Sequence, residues 1–501
     1  MRDAAASIRG ISLQQTLPEA ELIGAADLRV TSCCADSRAC RPGDLFVAIA
    51  GENTDGHSYV RQAAQNGAAA VLADRPLPAD CRLPACYVAD VRAAYGRVCQ
   101  ALAGNPARRL RVVGITGTNG KTTTSYLTAS VLAAAGYRTG ILGTLGYFDG
   151  DEFETGDWTT PPAPVLAQWL ARMSANGCTH AVMEVSSHAL SQSRTAGVEF
   201  DVACVTNVRQ DHLDYHGTTR KYQAAKARIL EQLLPEGFAI VNLDDRVSAS
   251  FLSKVDGPVL SIGIDGAAEI TGLPIEQFPS EQTFLLSVEN ETVPVRTPLI
   301  GRHNIYNCLM ATAVGLAYGI DLATIVRGLE SIHGIPGRLE RIECGQPFQV
   351  FVDYAHTPDA LTGCLDALRQ TTRGRLICVF GAGGDRDALK RPLMGGAVES
   401  GCDLAVLTSD NPRSERPQQI INQVLSGFQR PLDVQVIADR AEAIHWALAQ
   451  AGVGDCVLIA GKGHERHQII GNKHFEFDDR ETARQWLYES SSIDELYRAS
   501  A

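Results

Sequence analysis

Gly114-Ile115-Thr116-Gly117-Thr118-Asn119-Gly120-Lys121-Thr122-Thr123 is the stretch of this 501-residue chain whose residue types and spacing point most directly to chemistry. It follows a short apolar run and opens a helix-length segment that closes at Gly136. Glycines let backbone N–H groups turn toward a phosphate, and a helix N-terminus adds partial positive charge. Lys121 has the reach for β- and γ-phosphate oxygens, and the Thr122 hydroxyl can ligate Mg²⁺. Ile115 stands where the common G-x-x-x-x-G-K-T spacing has its first glycine. The segment predicts an ATP site on Gly117, Thr118, Asn119, Gly120, Lys121, Thr122 and Thr123. By itself it does not separate a ligase from a kinase or a nucleotide switch.

A loop of this kind needs a strand behind it and a helix ahead of it. Apolar runs at 111–115, 181–185, 202–206 and 239–241 are separated by helix-length segments, and continuous apolar strands read as a parallel sheet buried on both faces. Before them, 44–49 and 69–73 are short strands punctuated by glycine, closed by a Pro/Arg-rich junction at 104–109. The rhythm breaks at His333-Gly334-Ile335-Pro336-Gly337 and resumes with strands at 350–352, 376–380, 404–407 and 457–460. Three α/β domains are expected, over 1–100, 101–335 and 336–501: an N-terminal domain, a central P-loop ATPase-like domain and a C-terminal Rossmann-like domain. Ligands of such open sheets bind beyond the strand C-termini, so chemistry is expected on the loops there.

Composition narrows the class. Hydrophobic residues make up 45% and charged residues 20%, a globular balance. A net charge of −12, from 57 acidic against 45 basic residues, repels polyanions and disfavours a nucleic-acid partner. No apolar run approaches the roughly 18 residues of a membrane span, and the N-terminus lacks the order of a signal peptide. The 14 cysteines show no metal-type pairing and read as reduced thiols. A cytoplasmic enzyme is expected, with no membrane and no nucleic acid, as a monomer.

Gly117–Thr122 taken with later segments resembles the Mur ligase family. The matching segments span nearly the whole chain: Asp36-Ser37-Arg38, Gly43-Asp44-Leu45-Phe46, Thr159-Thr160-Pro161, Glu184-Val185-Ser186-Ser187-His188, Asp211-His212-Leu213-Asp214-Tyr215-His216, Gly301-Arg302-His303-Asn304, Gly337-Arg338-Leu339-Glu340, Asp353-Tyr354-Ala355-His356-Thr357-Pro358, Gly384-Asp385-Arg386-Asp387, Asp410-Asn411-Pro412-Arg413 and Gly461-Lys462-Gly463-His464-Glu465. The resemblance implies an ATP-dependent ligase that activates a carboxylate as an acyl phosphate and lets an amine displace the phosphate. Lys121, Glu184, His212, Lys226 and His356 are then expected to be catalytic. Thr122, Glu184, His212 and Lys226, the last as a carbamylated lysine, are implied ligands of two Mg²⁺ ions. Asn304, Arg338 and Asp353 are implied nucleotide contacts. Read alone, Lys226 is a solvated helix lysine and Glu184 a strand-tip glutamate.

The resemblance also implies the substrates. UDP-N-acetylmuramoyl-L-alanyl-D-glutamate would meet Ala35, Ser37, Glu52, Asn53 and Thr54 at its uridine end, and Thr159, Thr160, Ser186, Gln192 and Arg194 at its sugar–peptide end. Trp158 stands where some relatives carry asparagine. The incoming amine is expected to be meso-diaminopimelate, held by Arg386, Asp410, Asn411, Pro412, Arg413, Gly461 and Glu465. Arg413 offers a planar fork for a carboxylate, and Asp410 or Glu465 can take an ammonium. The alternatives are a lysine-adding ligase or a folylpolyglutamate synthetase of the same architecture, and, in another class, a slow ATP-hydrolysing switch. Asp-Asn-Pro-Arg argues against lysine, and the Asp36-Ser37-Arg38 region against folate.

Overall fold

The computed structural model describes residues 10–51 and 54–499. Two compact units form, one from Met1–Thr116, Tyr137–Ala203 and Ala225–Ala239, the other from Gly117–Gly136, Cys204–Ala224 and Ile240–Ala501. The strands Phe200–Val205 and Leu233–Asn242 begin in the first unit and end in the second.

In the first unit a five-stranded sheet runs in the order Glu21–Ile23, Ala85–Tyr87, Ala70–Ala73, Leu45–Val47, Cys33–Cys34, parallel except for the first strand. Alternation sorts its side chains. Leu45, Val47 and Leu72 join Leu13, Leu17 and Val98 on one face, while Phe46, Ala48 and Val71 join Val60 and Ala63 on the other. Both faces are covered, which is why these strands read as unbroken apolar runs. A second set of strands places His180–Glu184 between Thr139–Gly143 and Arg111–Thr116, all parallel, with Met183 opposite Gly114 and Glu184 opposite Ile115. Gly114 is needed for packing: a Cβ there would come within 2.7 Å of the Phe200 ring.

In the second unit the helix Lys121–Ala134 packs against Arg302–Ala317 and Leu322–Glu330. The approach is close, since a Cβ on Gly328 would lie 2.5 Å from the Val131 Cα, and the Ser130 hydroxyl donates to the Gly328 carbonyl at 2.7 Å. An antiparallel ribbon, Ile270–Phe278, Glu281–Val288 and Glu291–Thr297, extends a sheet that the sequence suggests to be parallel. Beyond it a six-stranded sheet runs Glu340–Arg341, Gln349–Asp353, Cys456–Ala460, Leu376–Phe380, Leu404–Leu407, Gln435–Val436, parallel except for the first. Leu376, Cys378 and Phe380 face one layer of helices, and Ile377 and Val379 the other.

Register places four C-terminal strand ends on one edge. Asp353 is opposite Ala460, Val379 opposite Ile459, and Phe380 opposite Leu407. The loops that leave this edge carry Tyr354–Thr357, Gly461–Glu465, Gly381–Arg386 and Thr408–Arg413, so most of the motifs of the C-terminal half share one rim. No helix among the described residues is long and apolar enough to cross a membrane. All 14 cysteines are free thiols.

Candidate active site

The phosphate loop is fixed from below by the residues that follow Val205. Thr118 N–H donates to the Asn207 carbonyl at 2.8 Å, Asn119 N–H to the Asn207 side-chain oxygen at 3.0 Å, and the Thr206 hydroxyl to the Asn119 carbonyl at 2.7 Å. Gly117 has φ +154° and a Cβ there would sit 1.8 Å from the Thr206 hydroxyl, so only glycine fits. Gly120, at φ +86°, faces Asn307 in the same way, its Cβ position 2.4 Å from the Asn307 side-chain oxygen. Lys121 curls back over the loop and donates to the carbonyls of Gly117 (2.9 Å) and Thr118 (3.0 Å). Thr122 and Thr123 are buried.

Arg338 reaches this loop directly. Its guanidinium donates to the Thr122 hydroxyl at 2.8 Å and lies 4.8 Å from the centroid of the Tyr354 ring. Its Nε–H is buried and, among the described residues, has no hydrogen-bond acceptor. Asn304 is further back: it donates to the Ile300 carbonyl and accepts from Asn307, which in turn accepts from Thr124. Asp353 is spent on the backbone, accepting from Leu339 N–H (2.6 Å) and Ala355 N–H (2.7 Å), and so ties the Arg338 turn to the His356 loop.

His212 adopts a left-handed conformation, φ +53°, with its Nε2 3.4 Å from the buried Asp211 carboxylate. Lys390 approaches the other Asp211 oxygen at 3.5 Å. Burial opposes the charge of Asp211, yet Lys390, His212 and His356 together hold its pKa below the usual carboxylate range. His356 is pushed the other way. Burial first, then Lys390, lowers it to about 4, so the ring is neutral near pH 7. Its Nδ1 lies 2.7 Å from the Tyr354 carbonyl, which can only accept, so Nδ1 carries the proton and Nε2 keeps its lone pair.

In the first unit Glu184 is fully buried at the end of its strand. Thr144 meets both its oxygens, through N–H at 2.9 Å and through the hydroxyl at 3.0 Å. Around it the expected sugar–peptide residues form one network. Thr144 and Thr159 share a hydrogen bond, Thr160 donates to the Glu184 carbonyl, and Ser186 N–H donates to Thr160. Arg194 donates to the Thr160 carbonyl at 2.8 Å and, twice, to the Gln192 side chain. The guanidinium lies 4.6 Å from the Trp158 ring centroid, so this half-exposed indole gives Arg194 a stacking surface.

Lys226 closes the helix Thr219–Ala227 and is 1% exposed, which rules out the solvated lysine that its flanking sequence suggests. Ser37 is buried and its hydroxyl donates to Gln62 at 2.8 Å, while Ala35 and Thr54 are exposed. Glu52 and Asn53 lie outside the described residues.

At the rim of the C-terminal sheet, Arg413 also has a left-handed backbone, φ +50°. Its guanidinium donates to the Gly384 carbonyl at 2.8 Å. Burial first, then the nearby Arg386, lowers the Arg413 pKa, while Asp410 and Glu465 act the other way; both arginines border Gly383. Asn411 is a strut: it accepts from Lys462 and from Ile469 N–H, and donates to Glu465. Pro412 is buried. Gly461, φ +115°, leaves room for the Asp410 carboxylate, whose oxygen would lie 2.6 Å from a Cβ there. Asp410 is itself buried and, against that burial, Lys462 and Arg440 depress its pKa.

Three family models match in chain order: the Mur ligase family catalytic domain over residues 29–102, the Mur ligase middle domain over 115–315, and the Mur ligase glutamate ligase domain over 337–463. The UDP-N-acetylmuramoyl-L-alanyl-D-glutamate--2,6-diaminopimelate ligase of Geobacillus thermodenitrificans is 44% identical over 457 residues, 90% of this chain and 93% of that one. The chain belongs to the Mur ligase family. The ligase of the same name from Bacillus cereus is 42% identical over 463 residues, covering 91% of this chain and 94% of its own. A solved structure of a ligase of that name is 32% identical, with a TM-score of 0.68 over 96% of this chain and 99% of the other.

Several residues that hold the expected residues in place are not singled out in the sequence. Thr144, Asn207 and Lys390 read as ordinary loop or helix residues, and Asp211 and Lys462 lie in quoted motifs without an expected role. Asp211 had the best signal, its position beside His212. Lys390 had none, since a lysine at a helix start reads as solvated.

Proposed function

We propose that this Mur ligase uses ATP to join meso-2,6-diaminopimelate to a carboxylate of UDP-N-acetylmuramoyl-L-alanyl-D-glutamate, in the cytoplasm. The similarity to ligases of that name over nine-tenths of the chain supports the reaction. The observation that carries the choice of amine is that Arg413 and Arg386 flank one glycine at the sheet rim: a Cβ on Gly383 would lie 3.1 Å from the Arg413 guanidinium and 3.8 Å from the Arg386 Cγ. Diaminopimelate has a second carboxylate to answer that charge, and lysine does not.

The division of labour follows the expected segments, with 1–100 taking the uridine end, 101–335 the ATP and 336–501 the amino acid. The loop amides from Gly117 to Thr123 and Lys121 bind the ATP phosphates and stabilise charge as the γ-phosphoryl passes to the substrate carboxylate. Arg338, with its buried and unanswered Nε–H, is positioned to donate to the nucleotide. Asn304 and Asp353 support it by fixing the helix and the turn behind. Thr159, Thr160, Ser186, Gln192 and Arg194 orient the acceptor, and Arg194 pairs with a substrate carboxylate. His356, neutral and with a free lone pair on Nε2, suits acceptance of a hydrogen bond from the incoming amine, its lowered pKa making it a positioning group and not a strong base.

The donor chemistry fits Mg²⁺: a threonine hydroxyl, a buried carboxylate, an imidazole and, once carbamylated, a lysine that ends in a carboxylate. Thr122, Glu184, His212 and carbamylated Lys226 are each proposed as ligands. Bound Mg²⁺ would neutralise charge on the phosphates and the acyl phosphate. The test is an assay of ADP release with the UDP-muramoyl dipeptide, ATP, Mg²⁺ and a panel of amines. Full turnover only with diaminopimelate supports the reading; equal turnover with L-lysine, or ADP release that needs neither acceptor nor amine, overturns it.

A further inference from the structure

Two thiols and a carboxylate converge at the base of the loop 35–39. Cys34, Cys40 and Asp44 each offer one ligand atom, and these atoms all lie within 4.8 Å of one another. We propose that Cys34, Cys40 and Asp44 form a binding site for one thiophilic divalent cation, of which Zn²⁺ is the type. The loop it closes also carries Ala35 and Ser37, assigned to the uridine end, but its test reads cation binding and not ligase turnover.

The elements that bring the three together are rigid. Cys34 lies on a strand in register with Phe46, and Asp44 immediately precedes the next strand, so two of the ligands come from adjacent, paired strands. Cys40 enters from the loop, which is pinned by Ala39 N–H on the Asp36 carbonyl at 3.0 Å and by Asn66 on the Ser37 carbonyl at 2.8 Å. Asp44 is already oriented: one oxygen accepts from the Ser32 hydroxyl and the other from Arg41 N–H at 2.7 Å. Each carboxylate oxygen has two lone pairs, so these donors leave room for a cation while fixing the direction it must come from.

Charge argues the same way. Asp44 is 6% exposed, and among the described residues no lysine, arginine or histidine pairs with it. Arg38, on the loop, is taken by Asp36. A buried carboxylate without a counter-charge is costly, and a cation bonded directly to it would offset that cost locally, its remaining charge being met by the two thiolates. The donor set selects the ion. Mg²⁺ and Ca²⁺ require mostly oxygen, whereas two sulfurs with one oxygen suit Zn²⁺ or Cd²⁺, with a fourth position for water. On binding, each thiol would lose its proton to solvent and the carboxylate would enter ionised, leaving a cation with three anionic ligands. Cys34 is half-buried beside exposed Ala35 and Asp36, which provides an entry path. Cys33 is not part of the set: the next residue on a strand faces the other side, where its Sγ lies 3.8 Å from that of Cys99. It is therefore the internal control.

The test uses the full-length chain, reduced and stripped of metal, titrated with Cd²⁺ while the thiolate-to-metal ultraviolet band is followed. One tight equivalent is expected. Cys34→Ser and Cys40→Ser should each weaken it by at least ~10²-fold, since even outer-shell changes weaken metal sites by ~10- to 10²-fold. Cys33→Ser should leave it unchanged. Zn²⁺ should also raise the melting temperature of the wild type but not of Cys40→Ser, and Cys34→Ala repeats the test should either serine variant fail to fold. A wild-type chain with no tight equivalent, variants at 34 and 40 that titrate as wild type, or loss of the band in Cys33→Ser would each overturn the site.

Discussion

Lys390 sets its ammonium 3.5 Å from the Asp211 carboxylate, and both side chains are buried. The pair joins a helix of the C-terminal segment to the loop that carries His212, across 179 residues of sequence. Removing one partner of a buried ion pair strands the other charge, at a cost of about 3–5 kcal/mol. Lys390→Met should therefore destabilise the chain by about 3 kcal/mol, and adding Asp211→Asn should recover part of the loss. The same substitution should raise the His356 pKa above about 4, because Lys390 depresses it while Asp211 raises it. Denaturant unfolding and histidine NMR titration read the two effects. A stable Lys390→Met with an unmoved His356 would show that the pair carries neither role.

Lys121 donates to two carbonyls of the phosphate loop itself, and its loss should spare the fold. Lys121→Ala is expected to lower kcat by at least ~10²-fold, as removal of a single transition-state donor does elsewhere. Circular dichroism and the melting temperature should stay near wild type. Near-normal ADP production from a folded variant would remove the loop from the chemistry.

Arg413→Ala should raise KM for diaminopimelate sharply and leave KM for ATP nearly unchanged. Arg413→Lys should fail too, since an ammonium keeps the charge but not the fork that reaches Gly384 and a carboxylate together. The intact enzyme should discriminate against L-lysine by up to ~10⁴-fold in kcat/KM, because lysine has no second carboxylate to bond the Arg413 fork. Similar kcat/KM for the two amines would sink this assignment.

What could be read in the sequence, and what could not, divides by distance along the chain. The C-terminal strands were legible because both faces are covered and every residue from Leu376 to Phe380 is buried. The ribbon of residues 270–297 was not: Leu273 and Ile275 are exposed there, while Gln282 is buried because its amide donates to the Leu299 and Gly301 carbonyls. The phosphate loop was legible because its chemistry is local. The clamp of Thr144 on Glu184 and the pair Asp211–Lys390 were not, since they exist only once strand register and helix docking are set.

Acid should destabilise this protein in a defined window. His180 is buried and its pKa is lowered to about 4 by burial, as is that of His356, against an ordinary value of 6.5. The unfolded chain binds these protons as pH falls through 6.5, and the folded chain only near 4. Stability from both groups is thus complete above pH 6.5 and is lost as pH falls from there to about 4. Asp211, depressed by Lys390, adds a further loss at lower pH still. Melting temperatures at pH 7, 6, 5 and 4 should decline steadily, and less steeply in His180→Gln. A flat profile from 6.5 to 4.5 would contradict the burial of both rings.

Lys226 is 1% exposed, and a lysine at that depth must be paired, neutralised or chemically changed. Carbamylation needs the neutral amine, which burial favours, and it turns a cation into a carboxylate able to ligate Mg²⁺. Lys226→Ala should then lose most activity while leaving a vacancy sized for a small carboxylate. Formate or acetate should restore measurable turnover, and chloride at equal ionic strength should not. A structural lysine would give no such rescue, which separates the two roles. Labelled ¹³CO₂ gives a readout besides activity: the wild type should show a carbamate carbon resonance near neutral pH that Lys226→Ala lacks. Intact mass measured in acid is unsuited to the purpose, because carbamates decompose there. Wild-type turnover by Lys226→Ala without added carboxylate would mean that Lys226 serves packing alone and that Mg²⁺ takes other ligands.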